Sequence, residues 1–142
     1  MAKENRSVLI PERIWYPILD KALEKNGDLF KETFYDSGLW YGKYFSTVLT
    51  ETNSLEVIRS LFKGIFWNAS SLEIEQIGGK TILTCVEPDS TDLHTELLST
   101  VFEGIMHSLG YQTNEKNVSK GLMMLTFKKN MLGKEDDALK ER

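Results

Sequence analysis

Between residues 93 and 109 the apolar positions fall at Leu93, Leu97, Leu98, Val101, Phe102, Ile105, Met106 and Leu109. Steps of three and four residues, at roughly 100° per residue, gather them into one broad stripe, so the spacing predicts an amphipathic helix. Asp89, Ser90, Thr91 and Asp92 offer caps at its start, and Gly110 follows its end. Strand-like runs flank this stretch on both sides, which makes a sheet face the natural partner for the stripe.

Upstream the period is again helical. Val8 to Ile10 form a short apolar clip, and Pro11 suits the first turn of a helix. Ile14, Trp15, Ile18, Leu19, Ala22 and Leu23 follow at helical spacing, with Pro17 marking either a kink or the true start. Asn26-Gly27 ends this helix, Gly27 being able to take a left-handed cap. Asp28 caps a second helix that reaches Leu49 and carries Phe30, Phe34, Tyr35, Trp40, Tyr41, Tyr44 and Phe45. Gly38 and Gly42 share one of its faces. Glycine inside a helix costs roughly 1 kcal/mol against alanine, so the pair suggests close approach of another helix or of a ligand, helix packing being the stronger reading. A third helix follows Ser54, with Leu55, Ile58, Leu61, Phe62, Ile65 and Phe66 on one side.

From residue 72 the period becomes two. Leu72 to Ile77 alternates as a strand with one wet face, Gly78-Gly79 is a hairpin turn, and Thr81 to Glu87 returns until Pro88 stops it. Tyr111 to Ser119 is ambiguous: a short strand and a turn around Asn114 to Asn117. Leu122 to Lys129 is a closing strand, apolar on both faces at first, as at an inner position. The expected fold is α+β: N-terminal helices, a β-hairpin, a long helix and one or two closing strands, with an antiparallel sheet packed on a helical layer. Residues 1–130 form one domain and 131–142 a charged tail.

Composition narrows the partners. The 142 residues suit one core, and 41% hydrophobic content lets it fold without staples. With 17 basic against 21 acidic side chains, a net charge of −4 argues against nucleic acid as a partner. Cys85 is the single cysteine, which excludes an intrachain disulfide and a multi-cysteine zinc site. No signal peptide and no run of membrane-spanning length is visible, so the expectation is a cytoplasmic protein.

The candidate chemistry is thin. His94 falls near the middle of the stripe and could ligate a metal or haem; a first-turn histidine held by a hydrogen bond at the sheet edge is the stronger reading, since further ligands are not visible. His107 points away and reads as solvated, Glu103 as exposed. Cys85 lacks a positive neighbour to activate it. Glu73 and Glu75 read as a solvated strand face. The aromatics of the second and third helices are too widely spread for one core stripe, so some must face a subunit or a ligand. Met106, Met123 and Met124 add adaptable surface for an apolar cavity.

Tyr35-Asp-Ser-Gly-Leu-Trp-Tyr-Gly-Lys43, then Leu55 to Phe66, the Leu72–Glu87 hairpin and Phe102-Glu-Gly-Ile-Met-His-Ser-Leu-Gly110 resemble, in pattern and order, the vinyl-reductase-type domains. The likeness spans roughly residues 28 to 128 within one domain. It implies an α+β fold shared with small TRAPP tethering subunits and, more remotely, with haem–nitric oxide sensor domains. Several such proteins are thought to hold a hydrocarbon-like or tetrapyrrole ligand between the layers, and many pair through their helices. Two departures stand out. The cysteines that many vinyl-reductase-type domains carry near the closing strand are missing from Gly121-Leu-Met-Met-Leu-Thr-Phe127, and the tyrosine–serine–arginine haem-propionate motif is absent.

The functional expectation is a non-enzymatic ligand-binding or sensory homodimer that holds a small apolar molecule lined by Tyr35, Gly38, Gly42, Phe45, Phe62, Phe66, Met106 and Met124. No catalytic or metal-ligating residue is assigned. The alternative is an interaction or tethering subunit with a fully packed core and a helix-mediated dimer interface. An enzyme has the least support.

Overall fold

The structure is a computed structural model that describes residues 10–47, 54–65 and 69–129. The elements run α1 (Glu12–Ser46), α2 (Ser54–Ile65), β1 (Ser71–Ile77), β2 (Lys80–Val86), α3 (Asp92–Ser108), β3 (Tyr111–Ser119) and β4 (Leu122–Lys129). The strands form one antiparallel sheet in the order β1-β2-β4-β3, packed on helices. The expected α+β architecture is therefore present, with β4 in the inner position its two apolar faces suggested. Val8, Leu9, Leu49, Phe66, Trp67 and the charged tail lie outside the described residues.

The first two expected helices follow one another within the 35 residues of α1 and part at a kink at Asn26, whose φ of −139° and ψ of 44° leave the helical region. Gly27 does not take the left-handed cap: the positive-φ glycines are Gly78, Gly79, Gly110 and Gly121. Pro17 lies inside α1 without ending it. Both halves of α1 run along α3. Leu19 and Leu23 meet Leu97 in a small cluster, while Phe45 joins Phe102, Ile105 and Met106 in the main core. The long apolar stripe on α3 thus seats both halves, one on each side of the kink.

Gly78 and Gly79, with φ of 57° and 79°, form the β1–β2 turn. Both central residues being left-handed is the geometry a two-residue hairpin needs. The ambiguous Tyr111–Ser119 is a full edge strand, with a bulge where Thr113 pairs with Phe127 and Glu115 with Thr126, leaving Asn114 over. One extra residue shifts the alternation. Thr113 and Lys116, an odd number of positions apart, therefore share the helix-facing side with Val118, opposite Phe127, Leu125 and Met123.

Candidate functional site

The layer between helices and sheet is where three of the eight expected lining residues, Phe45, Phe62 and Met106, meet. Phe45 from α1, Phe62 from α2, and Phe102 and Met106 from α3 are buried in one cluster with Met123 of β4. The rings touch in series: Phe45 to Phe62 at 5.9 Å between centroids, Phe62 to Phe102 at 5.1 Å edge-to-face. Ring pairs in such arrangements gain about 1 kcal/mol beyond area burial.

The rest of the expected lining stands elsewhere. Gly38 and Gly42 face the backbone of α3. A Cβ on Gly38 would lie 2.3 Å from the Val101 carbonyl oxygen, and one on Gly42 would lie 2.5 Å from Ser108 Cβ. Gly104 answers from α3, where a Cβ would meet the Tyr35 carbonyl oxygen at 2.4 Å. The small-residue step is a helix-to-helix contact too close for a guest. Met124 is 43% exposed on the open side of the sheet, because strand alternation turns its neighbour Met123 inward. Phe66 lies outside the described residues.

Tyr35 belongs to a polar chain across α1, α3 and β3. Its hydroxyl is 2.8 Å from His107 Nδ1, and His107 Nε2 is 2.7 Å from Thr113 Oγ1. Thr113 donates to Glu103 Oε2 at 2.8 Å, and Lys116 donates to Glu103 Oε1 at 2.6 Å. Since the Thr113 hydrogen is spent on Glu103, His107 donates from Nε2 and accepts at Nδ1 from Tyr35. His107 is therefore half-buried and paired, not solvated, and Glu103 is paired rather than free. The β3 bulge that brings Thr113 and Lys116 onto one face is what makes this possible. Burial raises the Tyr35 phenol above its ordinary range, helped by the charges of Glu103 and Asp36.

A second polar cluster closes the other end of α3. Tyr16 donates to Glu87 Oε1 at 3.1 Å. Ser90 Oγ lies 2.7 Å from His94 Nδ1, and Glu87 Oε2 lies 3.9 Å from that same nitrogen. Thr91 caps α3 by accepting from the His94 amide, and Gly121 donates its amide to Thr95 Oγ1 at 3.0 Å. Serine and carboxylate both stand on the Nδ1 side, so the imidazole does not link them through opposite nitrogens as a nucleophile-activating triad requires. His94 is the hydrogen-bonded first-turn histidine, packed against the Tyr16 ring at 4.8 Å. Burial pushes His94 below the ordinary imidazole range and Glu87 above the usual carboxylate range. The sequence hinted at this cluster only through His94; Tyr16 and Glu87 are 71 residues apart and carry no shared motif.

Two smaller features complete the picture. Cys85 is buried in β2, its thiol pushed up to about 12 by burial and, secondarily, by Glu87. Arg59 of α2 donates from Nη2 to the Ile74 carbonyl at 2.6 Å, while its Nε is buried with no acceptor. Among the described residues no group of three or more His, Cys, Asp or Glu could hold a metal ion, and no helix is long and apolar enough to cross a membrane.

No family model matches the sequence, and no curated protein sequence matches it. A solved chain from a study of haem distortion in the H-NOX family is similar in structure, with a TM-score of 0.50 at 12% identity, over 87% of this chain and 75% of that one. The likeness is one of fold. The residues here do not fit a haem. An axial histidine needs a free ring nitrogen facing an open slot. Both nitrogens of His107 are bonded, and His94, held at Nδ1 by Ser90, packs its ring on Tyr16 in the polar cluster at the start of α3 and not against the Phe45, Phe62 and Phe102 rings.

Proposed function

We propose that this chain is a non-enzymatic ligand-binding or sensory domain that takes a small hydrocarbon-like molecule between its helical layer and its sheet. Kinship with vinyl-reductase-type domains is part of the same reading. The observation that carries it is Phe62. A short separate helix inserts this one flat apolar ring between Phe45 and Phe102, beside the adaptable side chains of Met106 and Met123. A flat apolar guest in place of that ring would meet the same walls.

The energetics are modest. Burying a phenylalanine contributes about 3 kcal/mol, so a guest that displaces it must bury roughly 120 Å² of apolar surface to break even. A medium-length hydrocarbon chain exceeds that. The test is solvent extraction of freshly purified protein followed by mass spectrometry, with thermal melts before and after adding the extract. A co-purifying apolar molecule that raises Tm is expected. Repeatedly empty extracts would end this reading.

The tethering alternative has one observation in its favour. Trp40, 43% exposed on α1, stacks on Tyr44 with ring planes 4° apart and centroids at 6.1 Å. An exposed, preformed aromatic pair is a fitting hot spot for a second copy. Because Gly42 is committed to α3, a dimer would form through Trp40 and not through the glycine face. Light scattering of the wild type and Trp40→Ala decides: dimer to monomer supports it, and a monomeric wild type rules it out.

A further inference from the structure

Arg59 is the one buried side-chain nitrogen or oxygen site left unsatisfied among the described residues. A guanidinium keeps its charge at any physiological pH, and a desolvated N–H without an acceptor is costly. The ion pairs among the described residues are Lys31–Glu96 and Lys116–Glu103, and the remaining close contact of this kind, His94 with Glu87, also excludes Arg59, so no carboxylate of the described residues neutralises it. Its single acceptor is the neutral Ile74 carbonyl in edge strand β1. Nε–H lies on the guanidinium edge that, with a neighbouring Nη–H, grips a carboxylate through two parallel hydrogen bonds. Its neighbours on α2 are Ile58 and, three residues on, Phe62, both buried in the core.

We propose that Arg59 anchors the carboxylate head of an apolar ligand whose tail runs along the layer at Phe62. This rests on the ligand-binding reading above and adds the ligand's chemical class: an amphipathic monocarboxylate, not a neutral hydrocarbon. Charge selects the head, and the layer at Phe62 accepts the tail. Without a ligand, Arg59 serves the β1 edge through Ile74 alone.

Equilibrium dialysis of the full chain with radiolabelled palmitate, and separately with hexadecanol, tests the proposal. Palmitate is expected to bind at least about tenfold more tightly, the worth of one charge-assisted contact. Arg59→Met should bring the two to parity by weakening palmitate alone, and Arg59→Lys should fall between. Equal binding of acid and alcohol by the wild type overturns the anchor while sparing the ligand-binding reading. Failure of both to bind overturns both. A preference for the acid that survives Arg59→Met overturns the role of Arg59. The wild-type comparison stands even if a variant fails to fold.

Discussion

Gly38 of α1 and Gly104 of α3 oppose each other so closely that a Cβ built on either lies 3.0 Å from the other's Cα. Around them the contact is main chain on main chain, with Val101 and Tyr35 carbonyl oxygens on either side. Backbone cannot swing aside as a side-chain tip can, so an added methyl must separate the helices. Gly38→Ala and Gly104→Ala should each cost about 3 kcal/mol, the upper part of the usual range for overpacking. Gly27→Ala, where a Cβ meets nothing within 4 Å, should be neutral or stabilising. Urea titrations of the three variants check this; equal midpoints for Gly38→Ala and the wild type would refute the close contact.

The His94–Glu87 pair gives stability a pH dependence with two opposing slopes. Burial holds His94 low in the folded protein, so the unfolded chain binds its proton first as pH falls below about 6.5. That contribution is present above this value and is lost on acidification through the window down to the lowered folded value. Burial raises Glu87 in the folded protein, so its contribution is present below the unfolded carboxyl value of about 4.3 and is lost as pH rises through the folded one. His94→Gln should therefore flatten the loss of stability on acidification below about pH 6.5, while Glu87→Gln flattens the opposite slope above about pH 4.3. Urea midpoints across pH read both. An unchanged slope in His94→Gln would show that this imidazole does not carry the effect.

Cys85 should be chemically silent in the folded chain. It is 2% exposed, and a thiol held near 12 offers almost no thiolate at neutral pH. Dithionitrobenzoate should react with it only on the timescale of opening, and at once in urea. Full labelling within the mixing time under native conditions would contradict its burial.

The periodicities of the chain were enough to reveal α3, the hairpin at Gly78-Gly79, the inner strand β4 and the class of fold, because each is a local rhythm with a local stop. The same rhythm places Phe45, Phe62 and Met106 inside. It failed at Gly27, which does not take the expected left-handed cap, although the break expected beside it stands as a kink at Asn26. It also failed at Met124, assigned inward because the start of β4 is apolar on both faces.

The sequence alone determined which stretches are helix and strand, Tyr111–Ser119 excepted, and which residues are greasy enough to seek cover, since those follow from spacing along the chain. Tertiary structure decided what each covered residue meets. It turned Gly38 and Gly42 toward α3, used a single extra residue at Asn114 to gather Thr113 and Lys116 beneath Glu103, and left Arg59 one acceptor short. These are relations between residues far apart in the chain, and no periodicity encodes the distance between two elements once they pack.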